Sequence, residues 1–249
     1  MKANFETTPF GFLAAALAAC ALVTYSFSSD AFAVSDVEGA KLLEKADDIR
    51  NPSKAYTMRI VVKSDESEQE FEVMLKGTDK TMIVTKAPAR DLGRNMLMLD
   101  RDFYAYIPNL KRSMRLSLAQ KMSGQVANGD IARTRWAGDY TVKVEKSDGK
   151  ETQLLLDGNK KNLTYQKIRL WVETSSAKPL RAEYLSLDGK TLLKKAVFED
   201  YKALAGAQRP GRLRITDTGG KESTITIRNM VARDLGDAIF STTNLEKAR

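Results

Sequence analysis

The chain has 249 residues, with 40 Lys and Arg against 32 Asp and Glu for a net charge of +8, one cysteine and no histidine. That inventory excludes a Ser-His-Asp triad and a His/Cys metal site, and it removes the commonest general base near neutral pH. The expectation is a protein that is not an enzyme and holds no cofactor or metal, with only carboxylate or Ser-Lys chemistry left open.

The first 33 residues carry Lys2, an apolar run from Phe10 to about Tyr25, and Ala31-Phe32-Ala33. This is the pattern of a cleaved signal peptide, residues 1–33, ahead of a single mature domain, residues 34–249. A second reading lies in the same leader. Leu17-Ala18-Ala19-Cys20 matches a lipobox, through which Cys20 would be lipidated and anchored. The residues after Cys20 stay apolar, which favours simple cleavage. Once the leader is removed no cysteine is left, so no internal disulfide can form. Export turns the basic excess away from nucleic acid and towards an anionic membrane surface or acidic partners. Plain solubility accounts for the charge equally well.

Ser35 followed by Glu38 is a capping-box signature, and it predicts a helix over residues 36–49 that Pro52 stops. Its apolar stripe is Val37, Ala40, Leu43 and Ala46, with Leu42 and Ile49. Asp47 and Asp48 read as a solvated flank. Strands then dominate. Tyr56, Met58, Ile60 and Val62 alternate with polar neighbours, as do Phe71, Val73 and Leu75, and Met82 with Val84. Residues 95–99 are apolar on both faces and predict a strand covered on both sides. An aromatic strand over 103–107 is stopped by Pro108, and a basic-apolar strand over 111–116 returns. Around Met122-Ser123-Gly124 the chain turns small and polar, which suits a mobile cover, and residues 130–136 predict a short helix capped by Asp130 or Asn128. Further strands are expected at 140–145, 151–156, 164–173, 180–187, 190–200, 211–217 and 222–231. Asp188-Gly189 gives the strongest hairpin signal. Residues 206–211 read as a loop, and 237–245 as a closing helix or strand.

Ten or eleven antiparallel strands do not stay flat. The predicted fold is mainly β with few helices: a curled antiparallel sheet covered by the N-terminal helix and the irregular central segment.

The stretch Phe103-Tyr104-Ala105-Tyr106-Ile107-Pro108 with Arg112 and Arg115, then Met122-Ser123-Gly124 and Asp130, resembles the periplasmic lipoprotein-sorting family of LolA/LolB-like carriers. It is most similar to the longer branch associated with RND-type exporters. The second half departs from that pattern, because residues 123–130 lack its Ser-Asp-Phe-x-Tyr core. The resemblance implies an incomplete β-barrel with a helical lid over a hydrophobic cavity, a periplasmic location, and transfer of lipoprotein acyl chains or lipid towards the outer membrane. It also implies a cavity arginine that bonds the lid backbone, a role assigned here to Arg112. Tyr104, Tyr106 and Trp136 are candidates to line the cavity with polar tips at its mouth. Met96, Met98 and Met114 are candidates for an adaptable apolar lining. For all of these, ordinary core packing is the competing reading, and for Arg112 a surface position. The competing function is an accessory adaptor beside an RND-type inner-membrane exporter, with the cavity filled by side chains.

Overall fold

A computed structural model describes residues 34–247. The predicted leader, residues 1–33, and Cys20 within it lie outside the described residues.

The chain opens with helix α1 (Asp36–Arg50), whose cap is the one expected. The Ser35 hydroxyl accepts the Glu38 N–H at 3.3 Å, and the Glu38 carboxylate accepts the Ser35 N–H at 2.8 Å. The buried stripe is rotated from the expected one. Gly39, Leu43, Ala46, Asp47 and Arg50 face inward, while Val37 is exposed. Gly39 sets this rotation: a Cβ there would lie 2.6 Å from Val144, so only glycine lets the helix approach the sheet so closely. The helix C-terminus is closed by Arg209, which donates to the Asp48 and Ile49 carbonyls at 2.5 and 2.7 Å.

Six strands follow: β1 (Tyr56–Ser64), β2 (Glu68–Lys76), β3 (Lys80–Ala87), β4 (Met96–Leu99), β5 (Asp102–Ile107) and β6 (Arg112–Leu116). The central segment holds β7 (Lys121–Ser123), β8 (Val126–Ala127) and α2 (Asn128–Ala132). The second wing is β9 (Tyr140–Ser147), β10 (Glu151–Gly158), β11 (Lys167–Glu173), β12 (Pro179–Leu185) and β13 (Leu192–Glu199). A small hairpin, β14 (Lys202–Leu204) with β15 (Ala207–Arg209), occupies part of the stretch read as loop. Strands β16 (Arg212–Asp217) and β17 (Glu222–Ala232) precede α3 (Thr242–Lys247).

Thirteen strands make one antiparallel sheet in the order β6-β5-β4-β3-β2-β1-β17-β16-β13-β12-β11-β10-β9. The chain builds one wing outward from β1 and the other inward from β9, and joins them where the eleven-residue β17 pairs with β1. The edge strands β6 and β9 do not pair, so the curled sheet stays an incomplete barrel. Period-two burial follows the sequence alternation closely. Met58, Ile60, Val62, Phe71, Val73, Phe103, Leu154, Leu170 and Ile225 share the concave face in one core. The convex face of β3–β5 is covered separately by Leu235, Phe240 and Leu245, which pack on Met82, Val84 and Leu97. This accounts for the run at 95–99 that is apolar on both faces.

The central helix differs from its predicted span. It covers Asn128–Ala132, because Arg133 takes a left-handed conformation (φ 61°) and ends it. Ala127 is the N-cap residue, and Asp130 reaches back from the third helical position to accept the Ala127 N–H at 2.9 Å.

Candidate functional site

Residues 117–139 cross the concave side as a strap. The sequence suggested a loose cover, but the structure shows one tied to both wings. Ser67 and Ser123 bond hydroxyl to hydroxyl at 2.9 Å, the Gln125 N–H donates to the Ser223 hydroxyl at 3.0 Å, and the Lys194 ammonium donates to the Gln125 carbonyl at 2.7 Å. Tyr165 donates to Asp130 at 2.8 Å, and Thr81 donates to the Ala132 carbonyl at 2.8 Å. Leu118, Val126, Ile131, Ala132 and Trp136 then bury their side chains in the main core.

From beneath, the C-terminal turn of α1 grips the strap. Arg50 donates to the Thr134 carbonyl and stacks on the Trp136 ring at 3.8 Å. Asn51 donates to the Arg133 carbonyl at 2.5 Å while accepting from the Tyr56 hydroxyl. Asp47 accepts the Trp136 and Ala137 N–H groups at 2.7 and 2.9 Å, and lies 2.8 Å from Arg50. The flank read as solvated is thus half wrong: Asp48 is exposed, but Asp47 is 4 % exposed and binds the strap.

Between the strap and β2–β6 lies an apolar cleft of about 210 Å³. Phe71, Met96, Ala105, Ile107, Leu116 and Met122 form its walls, with Asp91, Arg94 and Lys121 at its polar margin. Its volume is below the roughly 300–1,000 Å³ of a typical small-molecule site, so a larger ligand would need the strap to move.

The expected site residues fall in different places. Met96 lines the cleft. Arg112 and Met114 stand opposite Ile107 and Ala105 across the β5–β6 ladder, so they share the concave face at the open edge. Arg112 is exposed and has no ion-pair partner or lid carbonyl among the described residues. Arg115 points the other way and pairs with Asp102. Met98 is concave but lies under the strap beside Leu118. Trp136 belongs to the strap and meets Phe198 edge-on at 5.9 Å.

Tyr104 and Tyr106 do not line the cleft. On β5 the concave positions belong to Phe103, Ala105 and Ile107, and strict alternation sends both tyrosines to the convex face, against the C-terminal cluster. The sequence reading missed Asp47, Arg50 and Asn51, which perform the backbone-holding role assigned to Arg112. The available signal was the pair Asp47 and Arg50 on one helical face, three residues apart.

A family model described as "Uncharacterized protein" matches residues 77–247. No protein of curated function matches the chain by sequence. Among the crystal structures that share the fold are the following three. A LolA superfamily protein from Nitrosomonas europaea is 34 % identical with a TM-score of 0.75, and the match covers 85 % of this chain and 100 % of that one. A DUF1329 family protein from Desulfovibrio piger is 22 % identical with a TM-score of 0.71, covering 85 % and 99 %. A domain named for outer membrane lipoprotein sorting, from Vibrio parahaemolyticus, is 21 % identical with a TM-score of 0.67, also covering 85 % and 99 %. With its thirteen-stranded open sheet, strapped concave face and 34 % identity over 85 % of its length, the chain belongs to the LolA superfamily.

Proposed function

We propose that this protein is a non-enzymatic periplasmic carrier that takes acyl chains of a lipoprotein or lipid into the cleft beneath the strap and releases them towards the outer membrane when the strap opens. The observation that carries the reading is the apolar cleft of about 210 Å³, roofed by a segment that Arg50 holds by a backbone carbonyl. Apolar burial would drive uptake, at roughly 25 cal/mol per Å² before ordering costs. Release needs a membrane or partner that favours the open form, since a ligand moves an equilibrium only by its differential affinity. The leader supports export with cleavage after residue 33. Lipidation at Cys20 would instead make the protein a membrane-bound acceptor.

A second reading is an accessory adaptor beside an RND-type exporter. The depth at which the strap is buried, with Val126, Ile131 and Ala132 fully enclosed, supports a filled cavity; the exporter rests on the resemblance alone. Native mass spectrometry of protein purified from cell envelopes, with extraction of any bound lipid, separates the two. A stoichiometric acylated ligand supports the carrier. A ligand-free protein that also refuses a fluorescent fatty-acyl probe leaves the adaptor.

A further inference from the structure

A second, smaller space lies deeper, between the end of α1 and the strap. It measures about 30 Å³ and is lined by Arg50, Asp130, Arg133, Tyr140, Tyr165 and Tyr184. Charge around it does not balance. Arg50, Arg133 and Lys194 are each more than nine-tenths buried, and two carboxylates answer them. Asp47 is taken by Arg50 at 2.8 Å, and Asp130 lies 3.5 Å from Lys194. Burial, and next to it the charge of Asp130, push the Tyr165 and Tyr184 phenols well above their ordinary range, so they supply no negative charge.

Arg133 is the one of the three cations with no ion pair among the described residues, although the Tyr56 hydroxyl and the charge of Asp47 both act on it. Its Nε and that of Arg50 are buried without a hydrogen-bond partner among the described residues, as is Asp47 Oδ1, which meets Arg50 as an ion pair. Its backbone is left-handed, a conformation a non-glycine residue adopts at some cost. A buried lysine would answer such a position by shedding its proton, but a guanidinium does not. An uncompensated buried charge is among the most costly features a fold can carry. Water could fill the two N–H valences, but it would leave the charge. The space is the size of one or two water molecules, which suits a monatomic ion and excludes a carboxylate-bearing metabolite.

We propose that the space between Arg50 and Arg133 is a binding site for a small monovalent anion, chloride being the form available in solution. The ion would bridge a guanidinium on α1 to one on the strap. Closure of the strap would then depend on the anion, whatever cargo the cleft takes.

Thermal melts of the protein in sodium chloride and in sodium gluconate at equal ionic strength test this, because gluconate is too large to enter. The expected result is a melting temperature about 2–4 °C higher in chloride, with the difference lost in Arg133→Gln. A difference that persists in Arg133→Gln is a general salt effect and overturns the proposal, as does no difference in the parent protein. Should the variant not fold, crystals soaked in bromide decide: an anomalous peak between the two guanidinium groups supports the site, and an ordered water there with bromide bound only elsewhere overturns it.

Discussion

Replacing Asp47 by alanine is the sharpest test of the grip that α1 has on the strap. The carboxylate is buried, its Oδ2 takes two backbone N–H groups at 2.7 and 2.9 Å, and its Oδ1 faces Arg50 at 2.8 Å. Each charge-assisted bond is worth about 1.5–3 kcal/mol. Alanine also leaves Arg50 buried without its counter-charge, and breaking a buried pair in this way costs about 3–5 kcal/mol. These terms overlap, because they describe one carboxylate, so the expected loss is about 3–5 kcal/mol rather than their sum. At about 2–4 °C per kcal/mol for a domain of this size, the melting temperature falls by roughly 6–20 °C. Asp47→Asn keeps one acceptor for the strap and loses about half as much, roughly 2 kcal/mol. Guanidinium titration followed by tryptophan fluorescence reads the change as a shifted midpoint at constant slope. A loss for Asp47→Ala below about 1 kcal/mol would refute the reasoning, since a carboxylate so placed could then be dispensed with.

Three further outcomes are expected. Ile107→Trp fills the cleft from a half-buried wall position and lowers fatty-acyl probe affinity at least about tenfold with little change in stability; unchanged probe binding places the ligand elsewhere. Gly129→Ala sets a Cβ 1.8 Å from the Thr164 hydroxyl and costs about 1–3 kcal/mol through overpacking, measurable in the same titration. The third concerns pH. Burial raises the phenols of Tyr56, Tyr165 and Tyr184, so the fold favours their neutral forms. That contribution is complete below the unfolded value near pH 10 and is lost as pH rises beyond it. With no histidine in the chain, stability should be flat from about pH 6 to 9 and then collapse together with tyrosinate absorbance. A transition near pH 6.5 would contradict this.

Alternation and turn chemistry made most of the sheet readable. Tyr56, Met58, Ile60 and Val62 face inward as their spacing requires, Asp188-Gly189 sits in the β12–β13 turn, and Ser35 with Glu38 starts α1. These signals are local, and each is complete within about ten residues. The strap was harder because its structure is not local. Residues 117–139 bond with one another through the β7–β8 pair, α2 and a few caps, but what seats them on the sheet is Ser67, Thr81, Tyr165, Lys194 and Ser223, up to about a hundred residues away. A segment held by distant partners reads as small and polar, and hence as loose. Asp47 misled for the same reason, since its partners Trp136 and Ala137 are 89 and 90 residues on. Tyr104 and Tyr106 misled differently. The strand was right, but parity alone does not say which face meets the cavity when the C-terminal tail makes the convex face apolar as well.

The grip on the strap also bears on the proposed uptake of a cargo. If the strap must open to admit an acyl chain, the observed affinity is the intrinsic one reduced by the fraction of molecules already open. A latch worth about 3–5 kcal/mol would then weaken apparent binding by roughly two to four powers of ten. Asp47→Ala would therefore lower stability and raise probe affinity together. If instead the cleft of about 210 Å³ accepts part of a chain as it stands, the same variant would lose stability and gain nothing in binding. Rising affinity with falling stability is the mark of a carrier whose closed form resists loading, and in such a carrier the partner or membrane that opens the strap, rather than the cleft, decides where the cargo is taken up and released.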